Sequence, residues 1–269
     1  FAPATKKLRD RLVVIGSGPA GMQIAYQALR DGVEVIMYEK SNKPGGLLAD
    51  GIPYHKFDKS YLDSDFKRLQ EMGLQLHLNS EVICEDGVPP YVLVGKVRRE
   101  ELSTENVVLC TGAGRPREIN PEITTSLPPE SRKKIIQATD FPKAANDTAT
   151  EIRFRDVDHQ TPASIETEEE VIKEIMGNFD PRGKRILILG GGDTAQDVKR
   201  WVAKYQGEEK GMVTTASRGP TPQPGDLSKE NMLTIAEMEH INAKTKDLTE
   251  VSVIEAAEGP GLVVTTRHS

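Results

Sequence analysis

Six consecutive residues, Gly16-Ser17-Gly18-Pro19-Ala20-Gly21, place glycine at the first, third and sixth positions of a turn. The spacing suits one kind of chemistry. The first glycine permits a tight turn out of a strand, the second lets backbone approach a pyrophosphate, and the third lets a helix pack close to the strand. A helix opening there at Pro19 and Ala20 would aim its N–H groups and positive dipole end at the phosphates. The spacing alone is a weak signal. Here it follows the apolar run Leu12–Ile15, and Glu39 stands at the end of the next apolar run. An acidic residue about 20 positions on is the expected ribose ligand of a dinucleotide fingerprint.

A second such turn, Gly190-Gly191-Gly192-Asp193-Thr194-Ala195, follows Arg185–Leu189. No acidic residue closes its second strand; Arg218 stands there instead. Arginine at that place pairs with a 2′-phosphate, which would favour NADP over NAD. The same arginine is equally compatible with a plain surface position.

Other reactive side chains offer less. The only cysteines are Cys84 and Cys110, too few for a four-cysteine iron–sulfur cluster and in no CxxC pair. Each ends an apolar strand-like run and is expected to be a buried core thiol in a reducing compartment. His55 and His77 read as structural histidines. The acidic run Glu166–Glu170 reads as the solvated first turn of a helix, with Thr167 and Glu170 as its capping box. No side chain stands out as a catalytic acid, base or nucleophile, and no metal-ligand set is seen.

The elements that must position the two turns follow from periodicity. Leu12–Ile15, then Ala20–Arg30 with Ile24, Ala25, Ala28 and Leu29 at helical spacing, then Val33–Tyr38 make a strand–helix–strand unit, with Gly32 as the helix stop. Residues 41–53 are rich in glycine and proline and read as a loop. Lys59–Met72 reads as a helix with Leu62, Phe66 and Leu69 on one side. Leu74–Leu78, Val92–Val94 and Val107–Cys110 read as short strands. Between Arg115 and Pro181 prolines punctuate a stretch in which only the capped helix before Gly177 stands out. Met212–Ser217 is the strand after the second turn, Ser228–His240 is expected to be helical, and Val251–Ile254 with Leu262–Thr266 form a closing antiparallel pair.

The 269 residues suffice for one large or two modest domains, with 37% hydrophobic and 28% charged residues. A net charge of -6 excludes a global basic surface for nucleic acid. No apolar run approaches the roughly 20 residues of a membrane span. Lys6, Lys7, Arg9 and Arg11 near the first residue would suit the stub of a removed targeting peptide. The expected compartment is therefore the mitochondrial matrix or the cytoplasm.

The segments VVIGSGPAG, MYEK, PGGLLADGIP, LCTGAGRPREI and RILILGGGDTAQDV resemble the small subunits of glutamate synthase. They equally resemble the same module in dihydropyrimidine dehydrogenase and related two-dinucleotide flavin oxidoreductases. The resemblance covers roughly residues 10–119 and 183–220, with the Gly45–Pro53 loop its most diagnostic piece. It implies an α/β fold of two Rossmann-like domains, with FAD in the first turn and NADP or NAD in the second. Gly16, Ser17, Gly18, Ala20 and Gly21 would hold the FAD pyrophosphate; Glu39 and Lys40, the adenosine ribose. Gly46, Leu47 and Ile52 would line the flavin, Val82 would meet adenine through its backbone, and Thr111 and Gly112 would close over the cofactor. Gly190, Gly191, Gly192, Asp193 and Thr194 would receive the nicotinamide dinucleotide.

Residues 1–120 are thus expected to form the FAD domain, 121–182 a crossover with one helix, and 183–269 the NAD(P) domain. The family's cysteine-rich iron–sulfur domain has no counterpart in these residues, nor does the late strand and Gly-Asp turn that close its FAD site. Two readings follow. In one, NAD(P)H reduces FAD and electrons leave to a partner; in the other, the fold serves as a structural subunit of a larger assembly. Both call for another protein chain.

Overall fold

Strand β1 (Arg11–Ile15) and strand β2 (Glu34–Tyr38) run in parallel, with Val14 opposite Met37 and Ile15 opposite Tyr38. Helix α1 (Pro19–Arg30) connects them, starting on a proline whose ring presets the helical φ and whose missing N–H would have no partner in a first turn. Gly32 ends it at φ +86, donating to Leu29 while Val33 donates to Ala28. Helix α3 (Lys59–Glu71) is capped by Asp58, whose carboxylate accepts from the Ser60 N–H at 2.9 Å. Strand β3 (Gln75–His77) extends the sheet beyond β2, and β7 (Val107–Leu109) flanks β1 on the other side, giving the parallel order β3-β2-β1-β7.

In the computed structural model the described residues are 11–54, 56–95, 97–102, 106–113, 121–124, 127–159, 177–205, 213–216, 244–246, 249–256 and 262–268. Contacts divide the chain into two units, Phe1–Arg115 and Pro116–Ser269.

Both faces of the first sheet are covered, and the two-residue period of the strands decides which side chain goes where. Val14, Val35 and Met37 face Ala25 and Leu29 of α1 and Leu62, Phe66 and Leu69 of α3. Val13, Ile15 and Tyr38 face the other way, against Val92 and Leu102. That second layer is an antiparallel sheet of β4 (Ser80–Glu85), β5 (Val88–Val94) and β6 (Val97–Glu101). Each fully buried aliphatic side chain contributes roughly 1.5–3 kcal/mol. Sequence periodicity showed only Val92–Val94 of this layer. Pro89 and Pro90 hide the rest of β5, although it is the central strand. They are tolerated because the β4–β5 ladder is irregular between Ile83 and Glu85, and β6 pairs with β5 only from Tyr91 onward.

The second unit has its own parallel sheet, β10-β9-β8, made of β8 (Ile186–Leu189), β9 (Val213–Ala216) and β10 (Lys244–Lys246). Helix α6 (Asp193–Tyr205) leaves the second glycine turn and packs Ala195, Val198, Trp201 and Val202 against Ile188 and Val213. After the one-turn helix α4 (Pro129–Arg132), helix α5 (Asp140–His159) covers α6 through Phe141, whose ring meets Trp201 edge-on at 6.1 Å. Strands β11 (Thr249–Ala256) and β12 (Leu262–His268) form the expected antiparallel pair.

Three expectations need correction. The proline-punctuated crossover holds a helix of 20 residues, α5, that its sequence concealed: Pro142 sits in the first turn, where no N–H is missed, and polar residues crowd the rest. The loop at 41–53 contains a short helix, α2 (Leu47–Asp50). The two cysteines are free thiols, but Cys84 is exposed and Cys110 half-buried. Cys84 lies near the solvent end of β4, and Cys110 lies just past β7. The helices expected at 167–176 and 228–240 lie outside the described residues, as does His55.

Candidate functional site

The first glycine turn sits at the end of β1, between β2 and β7. The Gly16 N–H donates to the Tyr38 carbonyl at 2.8 Å, and Cys110 N–H donates to the Ile15 carbonyl at 2.7 Å. Gly16 has φ +101, and a side chain there would fall on the Cys110 carbonyl oxygen. A side chain at Gly21 would fall on the Gly16 carbonyl oxygen, so this glycine permits the close approach of α1 to the strand. Gly18 differs. Its φ is -66, and a Cβ built there meets no atom within 4 Å. Nothing among the described residues requires glycine at 18, whereas a phosphate group lying against the turn would. No side chain caps α1, and its first turn carries no acidic residue, so the helix end remains suited to an anion.

Ser17 does something the motif does not specify. It is fully buried, and its hydroxyl donates to Glu39 Oε2 at 2.6 Å while its N–H reaches the same oxygen at 3.0 Å. The hydroxyl also accepts from the Gly45 N–H at 3.1 Å. The other carboxylate oxygen, Oε1, accepts from the Ser41 N–H at 2.8 Å. Burial alone pushes the Glu39 carboxyl up, but the Ser17 hydroxyl bond and the Ser41 and Ser17 N–H groups outweigh it. The group is held below its ordinary value of 4.5. Glu39 is therefore ionised at neutral pH and fixed at the end of β2, where the ribose hydroxyls of a dinucleotide would donate to it. Lys40 beside it is exposed. Val82 lies in β4, opposite Val92, with its side chain packed toward Val13 and Ile15.

The loop after Ser41 turns back onto the glycine turn. Gly45 and Gly46 take φ +116 and +54, and a Cβ at Gly46 would come within 3.1 Å of Gly18 Cα. Leu47 follows with 69% of its surface exposed, a large apolar side chain left mostly uncovered by the described residues. Ile52 is half-buried, and its N–H donates to the Leu47 carbonyl at 2.9 Å. On the β7 side, Thr111 and Gly112 are exposed, with Gly112 at φ +67. Burial pushes the Cys110 thiol above its ordinary value, so it stays protonated at neutral pH.

In the second unit, Gly190 turns out of β8 at φ +130 and donates to the Ala216 carbonyl at 2.9 Å. Gly192 has open space where a Cβ would be, and its carbonyl accepts from Gln196 as α6 begins. Asp193 and Thr194 form the exposed start of that helix. The structure thus brings Gly16–Gly21, Glu39 and Gly46 together in the first unit and Gly190–Thr194 together in the second. Arg218 lies outside the described residues.

Residues 10–267 match the pyridine nucleotide-disulphide oxidoreductase family over nearly the whole chain. The chain belongs to that family. Within it, the chain is 39% identical over 198 residues to the NAD-dependent dihydropyrimidine dehydrogenase subunit PreT of Escherichia coli, covering 74% of this chain and 37% of that protein. It is 30% identical over 187 residues to the glutamate synthase [NADPH] small chain of Azospirillum brasilense, covering 70% of this chain and 32% of the relative. The chain therefore spans about a third of the length of these relatives. Thioredoxin reductase of Lactococcus lactis superposes with a TM-score of 0.57 at 16% identity, over 96% of this chain and 71% of that one. At that identity the likeness establishes the fold alone, an α/β architecture. The resemblance drawn from the short motifs holds.

One side chain that bonds the loop after Ser41 carries no mark in the sequence. Lys59 opens α3 as an ordinary first-turn lysine would, and only its carbonyl partners, Leu48 and Ile52, reveal it.

Proposed function

We propose that this chain is the nucleotide-binding part of a flavoprotein oxidoreductase that takes hydride from NAD(P)H onto FAD and passes electrons to a partner. The observation that supports this best is Gly18. It is a glycine that the fold does not need, at the mouth of a helix with no side-chain cap, beside an ionised and fixed Glu39. FAD would supply the redox chemistry, accepting a hydride and releasing electrons singly. The chain's own residues bind and orient. Gly16, Gly18 and Gly21 shape the pyrophosphate turn, Glu39 and Lys40 face the ribose, and Gly46, Leu47 and Ile52 wall the flavin side. Val82, Thr111 and Gly112 border the same cofactor, and Leu47 gains the apolar cover it lacks.

In the second unit, Gly190–Thr194 receive the nicotinamide dinucleotide. Arg218 selects NADP over NAD through the 2′-phosphate. The relatives themselves divide between NADPH and NAD in name, so the choice rests on this residue. The partner is another protein subunit, in keeping with relatives named as a small chain and a subunit. No helix among the described residues is long and apolar enough to cross a membrane. The compartment proposed is the mitochondrial matrix or the cytoplasm, in keeping with two free thiols. The boundaries proposed are 1–120 for FAD, 121–182 for the crossover and 183–269 for the nicotinamide dinucleotide.

The test is the visible spectrum of the purified protein under anaerobic conditions. A flavin spectrum that bleaches on adding NADPH supports the reading. A bound cofactor that NADPH leaves oxidised supports the structural-subunit reading instead, and mass spectrometry showing FMN rejects the dinucleotide assignment.

A further inference from the structure

We propose that Lys59 is the positioning residue of the flavin-side loop, its ammonium bonding the carbonyls of Leu48 and Ile52 and so holding Gly46 in place against the glycine turn. The inference rests on the flavin reading of the first unit and adds to it the residue that sets the loop's shape.

The Gly45 bond to Ser17 and the Lys43–Asp50 pair hold parts of this loop, and Lys59 ties its helical turn to α3. Helix α2 is a single turn, far below the length at which a helix persists unaided. The Leu48 carbonyl inside that turn takes its bond from outside the helix, from Lys59. Lys59 Nζ lies 2.5 Å from the Leu48 carbonyl oxygen and 2.5 Å from the Ile52 carbonyl oxygen. One cation thus joins a residue inside α2 to one beyond its end. Charge-assisted bonds of this kind are about twice as strong as neutral ones.

The lysine is itself well anchored. It is the first residue of α3, whose Leu62, Phe66 and Leu69 are buried in the core below. Leu62 also fills the space where a side chain at Gly45 would go, so α3 supports the loop at two points. The Lys59 ammonium lies 5.3 Å from the Phe57 ring centre, on the ring face. A second ion pair, Lys43 to Asp50 at 2.9 Å, holds the same turn. The placement has a cost. Burial and the neighbouring Lys43 charge push the Lys59 amine down to about 8, partly offset by Asp50. Because the Gly46 Cβ position falls 3.1 Å from Gly18 Cα, any movement of α2 moves the wall beside the open face of the turn.

The test compares Lys59→Met and Lys59→Arg with the parent chain. In the apoprotein, amide hydrogen exchange of Ala49, Asp50, Gly51 and Ile52 should quicken by about tenfold or more in the methionine variant, while α1 amides keep their rates. FAD, titrated by flavin fluorescence, should bind about tenfold more weakly, and the fine structure of its visible bands should blur. Arginine, which keeps the charge and the donors, should recover much of both. Unchanged exchange in the methionine variant overturns the proposal, as does a loosened loop with undiminished FAD affinity. If the methionine variant does not fold, Lys59→Gln is judged by the same two outcomes. A parent chain that binds no FAD defeats the flavin reading, while the exchange rates still decide whether Lys59 holds the loop.

Discussion

The Ser17 hydroxyl donates to Glu39 Oε2 at 2.6 Å, joining the second residue of the glycine turn to the end of the next strand across 22 positions of sequence. The same oxygen of Ser17 accepts from Gly45, so three segments that would surround one cofactor meet at one serine. Ser17→Ala should leave the Glu39 carboxylate short of a buried partner. The expected cost is about 1.5–3 kcal/mol of stability, with a comparable loss of FAD affinity. Thermal melts and fluorescence titration read both; an alanine variant with full affinity would show that the serine serves only the fold.

Acid should act through Glu39. Its folded value is held below 4.5, so the stability it contributes is present above that ordinary value and disappears as pH falls through the depressed one. Glu39→Gln should therefore be less stable than the parent at pH 7, and the two melting curves should converge as pH falls below that depressed value. Lys59 acts in the same direction, but in the alkaline range. Between about 8 and its ordinary 10.5 the unfolded chain holds a proton that the folded amine has shed, so its contribution to stability rises with pH across that window. Lys59→Met should abolish that rise. Parallel melting profiles for parent and variant from pH 7 to 10.5 would contradict it.

The glycines of the first turn should separate into two kinds. Gly16→Ala forces a side chain into positive φ and onto the Cys110 carbonyl, and should cost about 2 kcal/mol or more in stability. Gly18→Ala meets nothing among the described residues and should melt near the parent temperature, yet lose most of its FAD. Equal melting temperatures for the two variants would refute the distinction.

Arg218→Ala should weaken NADPH by about tenfold or more, the worth of a charged phosphate contact of roughly 1.5–3 kcal/mol, and leave NADH nearly unchanged. Isothermal titration with each nucleotide checks this. Equal losses for both would remove Arg218 from the site.

The strand–helix–strand frame was legible because apolar spacing, glycine turns and Glu39 all pointed the same way. Where tertiary context dominates, the signals ran out. β5 tolerates Pro89 and Pro90 only because its ladder is irregular there, which no propensity reports. Helix α5 buries Phe141 and Ala145, but its polar residues obscure the stripe. Cys84 and Cys110 end apolar runs, and that pattern does not say whether the end of a strand is covered. Lys59 carries no mark in the sequence, because a lysine in the first turn of a helix is usually solvated; its carbonyl partners come from a loop whose fold could not be read. Ser17 was legible as part of the phosphate turn, but its bond to Glu39 depends on how closely β1 and β2 lie.

Strands β1 and β2 send Val14, Val35 and Met37 into one packed layer and Val13, Ile15 and Tyr38 into another. The mouth of the turn is thus braced from above and below before any ligand arrives. An arriving nucleotide would spend little of its interaction energy on ordering this backbone, so its affinity would go into the complex itself. The same bracing narrows the permissible history of the segment. Drift along Val13-Val14-Ile15 is confined to swaps among aliphatic side chains of similar volume, because neither layer has room to yield. The phosphate turn inherits its rigidity from strands that never touch the ligand.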